Sequence, residues 1–425
     1  MTGAARSGER LGDCPGFVIF WSAATVSGFG TYVTTLAIQV LVVVILHEGA
    51  AGVGLVSAAR WLPYLLFGLI AGVLVDRSRR RPLLVTTDLG RGVLLIGIPL
   101  LALTHHLTIL VLMAFMVVFG AMSLVNDAAS QSFVPRLVPA KLLTPAHARL
   151  DQSDAVAQTS GPALAGGLVS LLTAPWAVLV DAASYLVSGL LLLRVQVVEP
   201  TARRVSLGGI RTEAAEGLRW VYRHRTLRPF ALGTHAWFVC NAVASAVLPP
   251  FALRTLHLSA FGFGVLIAVG GLGGLLGALV ATSLGRRFGA GHVIIAGTIG
   301  EAVAFVMVAA SVSDWPGWVL FGAGELLLGF AMGTTNANEM GYRQSITPDH
   351  LQGRMNATMR SINRAMIVIG APLGGLLADA FGFRTMLLAA AGGLLLVAVG
   401  FGVSPFRHAS LTDTVAGPGT ETSTV

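Results

Sequence analysis

Charge is what this sequence has little of. Only 11% of its 425 residues are Asp, Glu, Lys or Arg, whereas 54% are hydrophobic. A soluble protein carries about a quarter charged residues, so a water-soluble enzyme of this length is excluded by surface chemistry. Lysine is almost missing. Lys141 is the only one, and arginine supplies the rest of the 28 basic residues, against 20 acidic ones. Excess base on so apolar a chain reads as cationic loops beside a membrane, not as a nucleic-acid surface. Cysteine is scarce too, and Cys14 and Cys240 lie too far apart in the chain to imply a disulfide framework. No phosphate-binding loop of the Gly-x4-Gly-Lys-Ser/Thr type is present, so ATP hydrolysis by that route is not expected. Neither a His/Asp/Glu metal cluster nor a serine–base constellation occurs at plausible spacing. The expectation is a non-enzyme without metal or cofactor.

What the chain does have is apolar runs of membrane-crossing length, about 20 residues each. Six fall at Phe17–Leu46, Val53–Val75, Leu83–Thr104, Leu107–Val125, Ala155–Thr173 and Trp176–Val195. Six more fall at Phe230–Leu253, Phe261–Leu284, His292–Val312, Trp318–Asn338, Ala357–Asp379 and Thr385–Val403. The first is too long for a signal-peptide core and reads as a retained span. The pattern predicts an all-α polytopic membrane protein with twelve transmembrane helices. Two pseudo-symmetric six-helix halves, 1–195 and 229–408, are expected, joined by a linker at 196–228 and followed by a disordered polar tail at 409–425. Within the linker, Glu213–Arg223 reads as a short basic helix lying along the membrane surface.

Two patterns support this organisation. Loops alternate in charge: Arg77, Arg79, Arg80 and Arg81, then Arg136, Lys141 and Arg149, then the linker, Arg286 and Arg287, and Arg343 and Arg354 all fall on one side. The positive-inside rule makes that side cytoplasmic and puts both termini there, with the chain multi-pass in the plasma membrane. Secondly, the halves repeat at an offset of about 209 residues. Pro139-Ala140-Lys141-Leu142 matches Pro348-Asp349-His350-Leu351, and Gly161-Pro162 is echoed by Ala371-Pro372. Two six-helix halves joined by a basic linker read as parallel repeats about an axis along the membrane normal.

Polar groups inside the spans mark candidate sites. Thr25, Tyr32, Thr35 and Gln39 recur at helical spacing on one face of span one, together with Gly28. Thr234, Trp237 and Asn241 stand at related places in span seven. Such a face turns to a bundle interior or an aqueous cavity. Glu325 in span ten and Glu301 in span nine are intramembrane acids, costly to expose to lipid and able to carry a proton, hence candidates for proton coupling. Asp88 and Arg91, three residues apart, are expected to neutralise each other. Arg60 lies in an outer half and is expected to snorkel.

The most specific segment is Gly72-Val73-Leu74-Val75-Asp76-Arg77-Ser78-Arg79-Arg80-Arg81, between spans two and three. It resembles the loop motif of the major facilitator superfamily, with Arg79 where that family has glycine. Asp181-Ala182-Ala183-Ser184-Tyr185, Glu216-Gly217-Leu218-Arg219-Trp220 and the stretch from Pro348 to Arg354 resemble its proton-coupled multidrug branch, which includes macrolide-efflux and enterobactin-exporter proteins. The resemblance implies a secondary active exporter of a small amphipathic molecule, such as a drug, antibiotic or siderophore. Export would run across the plasma membrane by proton antiport with alternating access. It also implies that Asp76 faces the start of span eleven, that Arg80 pairs with Asp127, and that spans one, four, seven and ten line the cavity. Gly161 and Pro162, with Pro372 as the repeat partner, would form a packing or antiport motif. The arginine that drug antiporters often carry within span four is missing from Leu107–Val125. Expected partners are the substrate, protons and the bilayer, with the chain monomeric. A second reading is a membrane-embedded sensor or lipid-handling protein that keeps the fold without coupled transport.

Overall fold

In hydrocarbon every backbone N–H and C=O must find its partner inside its own segment, which favours continuous helices. The computed structural model describes residues 10–76, 78–197 and 210–410. Twelve helices long and apolar enough to cross a membrane are found among the described residues. They are α1 (Pro15–Val40), α2 (Ala50–Asp76), α3 (Arg80–Leu103), α4 (Ile109–Leu137), α5 (Leu143–Leu172) and α6 (Ala174–Leu192), then, past the linker, α8 (Leu227–Pro250), α9 (Ala260–Phe288), α10 (Ala290–Ala310), α11 (Trp315–Ile346), α12 (Asp349–Phe381) and α13 (Phe383–Val403). The linker contributes α7 (Ile210–Arg223), where a basic helix is expected from the sequence. Of the tail, Ala409 is packed and its carbonyl accepts from the Gly291 N–H; residues 411–425 lie outside the described ones.

Four helices run well beyond their apolar runs. α4 continues to Leu137 and α11 to Ile346, while α5 and α12 begin at Leu143 and Asp349. With 30 residues, α5 is about 45 Å long, longer than the hydrocarbon core it would cross. Hydropathy detects only the lipid-facing part; the polar turns beyond it remain helical because the helix ladder is already nucleated.

The repeat is visible in the backbone. α1 ends in a π-type segment at Leu41–Ile45 and α8 in another at Phe251–Thr255. His47 and His257 both take positive φ, 56° and 51°. Thr173 and Gly382, which precede α6 and α13, do so at 71° and 92°.

By contacts the chain forms two compact units, Met1–Leu207 with Pro249–Ala268, and Gly208–Leu248 with Val269–Val425. In the first, α1 packs on α5 and α6, α2 on α4, and α3 on α4 and α6. Pro249–Ala268 joins this unit because Arg254 donates to the carbonyls of Val43 and Glu48, at 2.7 and 2.9 Å. Gly264 also lets α9 rest on α5, where an added Cβ would meet the Pro162 carbonyl at 2.3 Å.

In the second unit, α10 packs on α11 and α13, and α7 on α12. Phe230, Tyr342, Phe401 and Phe406 form an aromatic cluster with centroids 5.0–6.3 Å apart. α9 and α11 meet along a glycine seam. A Cβ on Gly273 would lie 2.1 Å from the Leu326 carbonyl, and one on Gly329 would lie 1.8 Å from the Gly270 carbonyl. Both clashes are with backbone, so only glycine permits this approach. Gly329→Ala should destabilise the protein by about 1–3 kcal/mol, the usual cost of overpacking. Gly400→Ala, with nothing within 4 Å, should be neutral or slightly stabilising; equal melting temperatures for the two variants would contradict the seam.

Candidate functional site

The first unit holds a polar network on α3, α4 and α6. A charge among apolar helices is tolerated only with partners. Asp88 and Arg91 are ion-paired, as their spacing suggests. Asp88 also accepts from Asn126 Nδ2 at 2.9 Å and from the Ser188 hydroxyl. The Arg91 guanidinium lies 4.2 Å from the centroid of the Tyr185 ring and donates to Ser123 on α4 at 3.5 Å. An arginine therefore does reach span four, but it comes from span three. Tyr185 and Thr31 share a hydrogen bond of 2.7 Å, linking the network to α1. A cavity of about 190 Å³ opens beside these groups and reaches Asp127 and Ser130. Asp181 is fully buried, accepts from Ser184 at 2.9 Å, and lies where a Cβ on Gly30 would be 2.0 Å from its Oδ1.

The α1 face is less uniform than its spacing suggests. Thr25 donates back to the Trp21 carbonyl at 2.8 Å and Thr35 to that of Thr31 at 2.7 Å. Tyr32 turns to α5, packing where Gly161 has no side chain and donating to Asp154 at 3.4 Å. Gln39 is half-buried. Arg60 does not snorkel. Its guanidinium instead finds partners inside the bundle, donating to Thr35 on α1 at 3.0 Å and lying 5.4 Å from the Phe119 ring centroid on α4.

In the second unit α8 and α10 meet through polar groups. The Trp237 indole donates to Glu301 Oε2 at 2.6 Å, and Asn241 Nδ2 donates to the Trp237 carbonyl at 3.2 Å. Glu301 is 1% exposed. Resemblance places span nine at the periphery, yet this carboxyl is joined directly to the polar face of span seven. Glu325, on α11, is 5% exposed and points at the glycine seam, where a Cβ on Gly270 would lie 3.1 Å from its Oε2. Its Oε1 finds no hydrogen-bond partner among the described residues. Thr234 is buried. Its neighbour His235 carries a role that sequence reasoning missed: it bridges Tyr222 of α7 at 2.8 Å and Asn363 of α12 at 2.7 Å. No local signal marks it, since both partners are remote in sequence.

At the loop motif, Asp76 is the last residue of α2. Arg77, and the side chains of Gly72 and Asp76, lie outside the described residues. Asp127 accepts from the Tyr64 hydroxyl at 2.6 Å, and Arg80 donates to the Ser78 carbonyl at 3.3 Å. Arg81 is more than a solvated anchor: it donates to the carbonyls of Leu192, at 3.2 Å, and Leu193, capping the end of α6. Pro162 and Pro372 both sit inside helices, α5 and α12. Their glycine neighbours make matching contacts, Gly161 with Tyr32 and Gly370 with Val239 and Ala242. No group of three or more His, Cys, Asp or Glu suited to a metal occurs among the described residues.

Known proteins give the same picture. A family model described as transmembrane secretion effector matches residues 14–417. The multidrug efflux pump Tap of Mycolicibacterium fortuitum is 27% identical over 388 residues, covering 89% of this chain and 92% of that protein. An uncharacterized MFS-type transporter of Bacillus subtilis (strain 168), YvqJ, is 24% identical over 369 residues, covering 84% and 85%. Among solved structures, the nucleoside transporter NupG superposes with a TM-score of 0.70 at 13% identity, covering 91% of this chain and 98% of that one. A bacterial homologue of the human lysosomal transporter Spinster does so at 0.70 and 15%, covering 91% and 96%. At such identities the structural likeness shows the fold alone, while the family match spans nearly the whole chain. Twelve membrane-crossing helices, the loop motif and that match together make this chain a multi-pass transporter of the major facilitator superfamily, and it belongs to the transmembrane secretion effector family.

Proposed function

We propose that the protein exports a small amphipathic molecule across the plasma membrane by proton antiport with alternating access, both termini being cytoplasmic. The observation that carries this reading is the Glu301–Trp237 hydrogen bond. It joins a buried carboxyl to an aromatic side chain on the polar face of α8. An ionised carboxylate holds an indole N–H about twice as strongly as a neutral acid does, so gain or loss of a proton at Glu301 changes how Trp237 is held. A substrate stacking on Trp237 would thereby sense the protonation state. Glu325 is the second candidate, a buried carboxyl whose Oε1 lacks a protein donor. Efflux as the direction is supported by the relationship to Tap and by the second-half residues above, which suit an amphipathic cargo. The arginine-rich loops support the orientation.

Two substitutions test the coupling in everted vesicles with and without a protonophore, using macrolides, tetracyclines and catecholate siderophores as cargo. Glu301→Gln keeps the shape and an acceptor for Trp237 but cannot titrate. It should abolish accumulation against a gradient while retaining binding and downhill flux. Glu325→Gln should do the same if that carboxyl is the exchanging one, so the pair identifies the coupling residue. Wild-type accumulation by both variants over pH 6–8 would remove proton coupling from the second unit.

Asp76 is proposed to hold the cytoplasmic side shut against the positive end of α12, the start of span eleven, a helix-dipole attraction of about 0.3–1 kcal/mol when exposed and more when partly buried. Asp76→Asn should leave expression and folding intact while lowering turnover severalfold, since 1.4 kcal/mol is about tenfold in a two-state ratio. Unchanged turnover at equal protein level would take Asp76, and with it the proposed Arg80–Asp127 relay, out of the gate.

A further inference from the structure

The linker helix α7 creates a basic cavity that the transport reading does not use. Arg219 and Arg223 are four residues apart and share a face. Arg225 follows in the turn into α8, and α12 brings Arg354 from its second turn. These groups surround a cavity of about 770 Å³ whose floor includes Trp220 and Leu351. Among the described residues its one acid is Glu216, and that carboxylate is already ion-paired with Arg354. Arg219, Arg223 and Arg225 are exposed, and among the described residues lining the cavity no carboxylate other than Glu216 is present.

Like charges gathered this closely repel unless an anion joins them, and α7 has little freedom to spread them. A Cβ on Gly217 would lie 2.6 Å from Thr358 Oγ1 and 2.7 Å from the Arg354 carbonyl, so the two helices touch backbone to backbone. Val221 is fully buried on the same side, and Trp220 donates to Thr347 at 3.4 Å. The neighbouring His224 adds no charge. Burial lowers its pKa, and its Nδ1 accepts from the Thr226 and Leu227 N–H groups. Docking of α7 therefore fixes the backbone that presents Arg219 and Arg223 beside an apolar floor, at the arginine-rich end of the membrane helices, with Leu218 exposed beside them.

We propose that the cavity between α7 and the first turns of α12 binds the headgroup phosphate of an anionic phospholipid, with Arg219, Arg223 and Arg225 around the phosphate and the glycerol and upper acyl carbons against Trp220 and Leu351. A guanidinium matches phosphate oxygens with paired N–H donors. An apolar floor beneath the basic rim suits a lipid better than a free anion. The bound lipid would pin the linker helix to α12. The site stands whether or not the chain couples transport to protons.

The test uses the full chain in neutral detergent micelles, titrated with phosphatidylglycerol, phosphatidylcholine or inorganic phosphate. Bound lipid is counted by native mass spectrometry, and the melting temperature is read in parallel. Phosphatidylglycerol should be retained and raise the melting temperature, whereas phosphatidylcholine and millimolar phosphate should do neither. Changing Arg219, Arg223 and Arg225 together to Gln should cut phosphatidylglycerol affinity at least tenfold. Melting in phosphatidylcholine should stay unchanged, which shows that the variant folds. Arg223→Gln alone should give an intermediate loss. Arg286→Gln with Arg287→Gln, which removes two charges at the end of α9 against one in Arg223→Gln, should leave affinity near wild type. Equal phosphatidylglycerol retention by the triple variant and the wild type would overturn the proposal. So would an equal loss in the α9 variant, which would mean unspecific attraction, or stabilisation by inorganic phosphate matching that by lipid, which would mean a free-anion site.

Discussion

A charge set among apolar helices must have a partner within reach, and both units are arranged around that requirement. In the first, Asp88 on α3 could not sit in the bundle without Arg91, Asn126 and Ser188. Those partners in turn fix how α3 meets α4 and α6. Asp181 is accommodated because Gly30 on α1 has no side chain to occupy its place. In the second, Glu301 is held by Trp237, which ties α10 to α8. Glu325 is less fully matched: it lies against the glycine seam, and its Oε1 finds no hydrogen-bond partner among the described residues. A carboxyl held that way is an expensive feature, and for that reason it remains a coupling candidate.

The glycines and the charges are two sides of one arrangement. Backbones that touch, as α9 and α11 do at Gly273 and Gly329, leave no room for water. Polar groups nearby must then be satisfied by protein atoms or stay unsatisfied. The network of Arg91, Tyr185 and Thr31 shows the first outcome, with a cavity of about 190 Å³ beside it. At α7, tight docking through Gly217 places Arg219 and Arg223 on the rim of a cavity that Arg225 also lines. Close packing fixes where charge is placed in all three cases.

Much of the architecture is legible in the sequence, because lipid enforces a simple rule: apolar length gives the spans. The repeat at an offset of about 209 reappears as paired π-type helix ends and paired positive-φ residues. Where hydropathy falls short, as at the polar turns of α4, α5, α11 and α12, helix continuity rather than hydrophobicity sets the boundary. Side-chain partnerships are less legible. Asp88 with Arg91 follows from local spacing. Arg60 with Thr35, Trp237 with Glu301, and His235 with Tyr222 and Asn363 each join residues from different helices. Span order along the chain does not give rotation about each helix axis, so those meetings emerge only from packing. The same limit explains why Glu301, assigned to a peripheral span, meets a residue chosen as cavity-lining.

The central claim is that cargo and proton compete through the Glu301–Trp237 contact. Its most direct test is proton release from the purified protein in weakly buffered detergent solution, with no gradient and no turnover. Addition of a transported cargo should release protons from the wild type and none from Glu301→Gln, while cargo binding, measured by equilibrium dialysis, persists in both. Proton release of equal size from Glu301→Gln would contradict the account and place the exchanging group elsewhere.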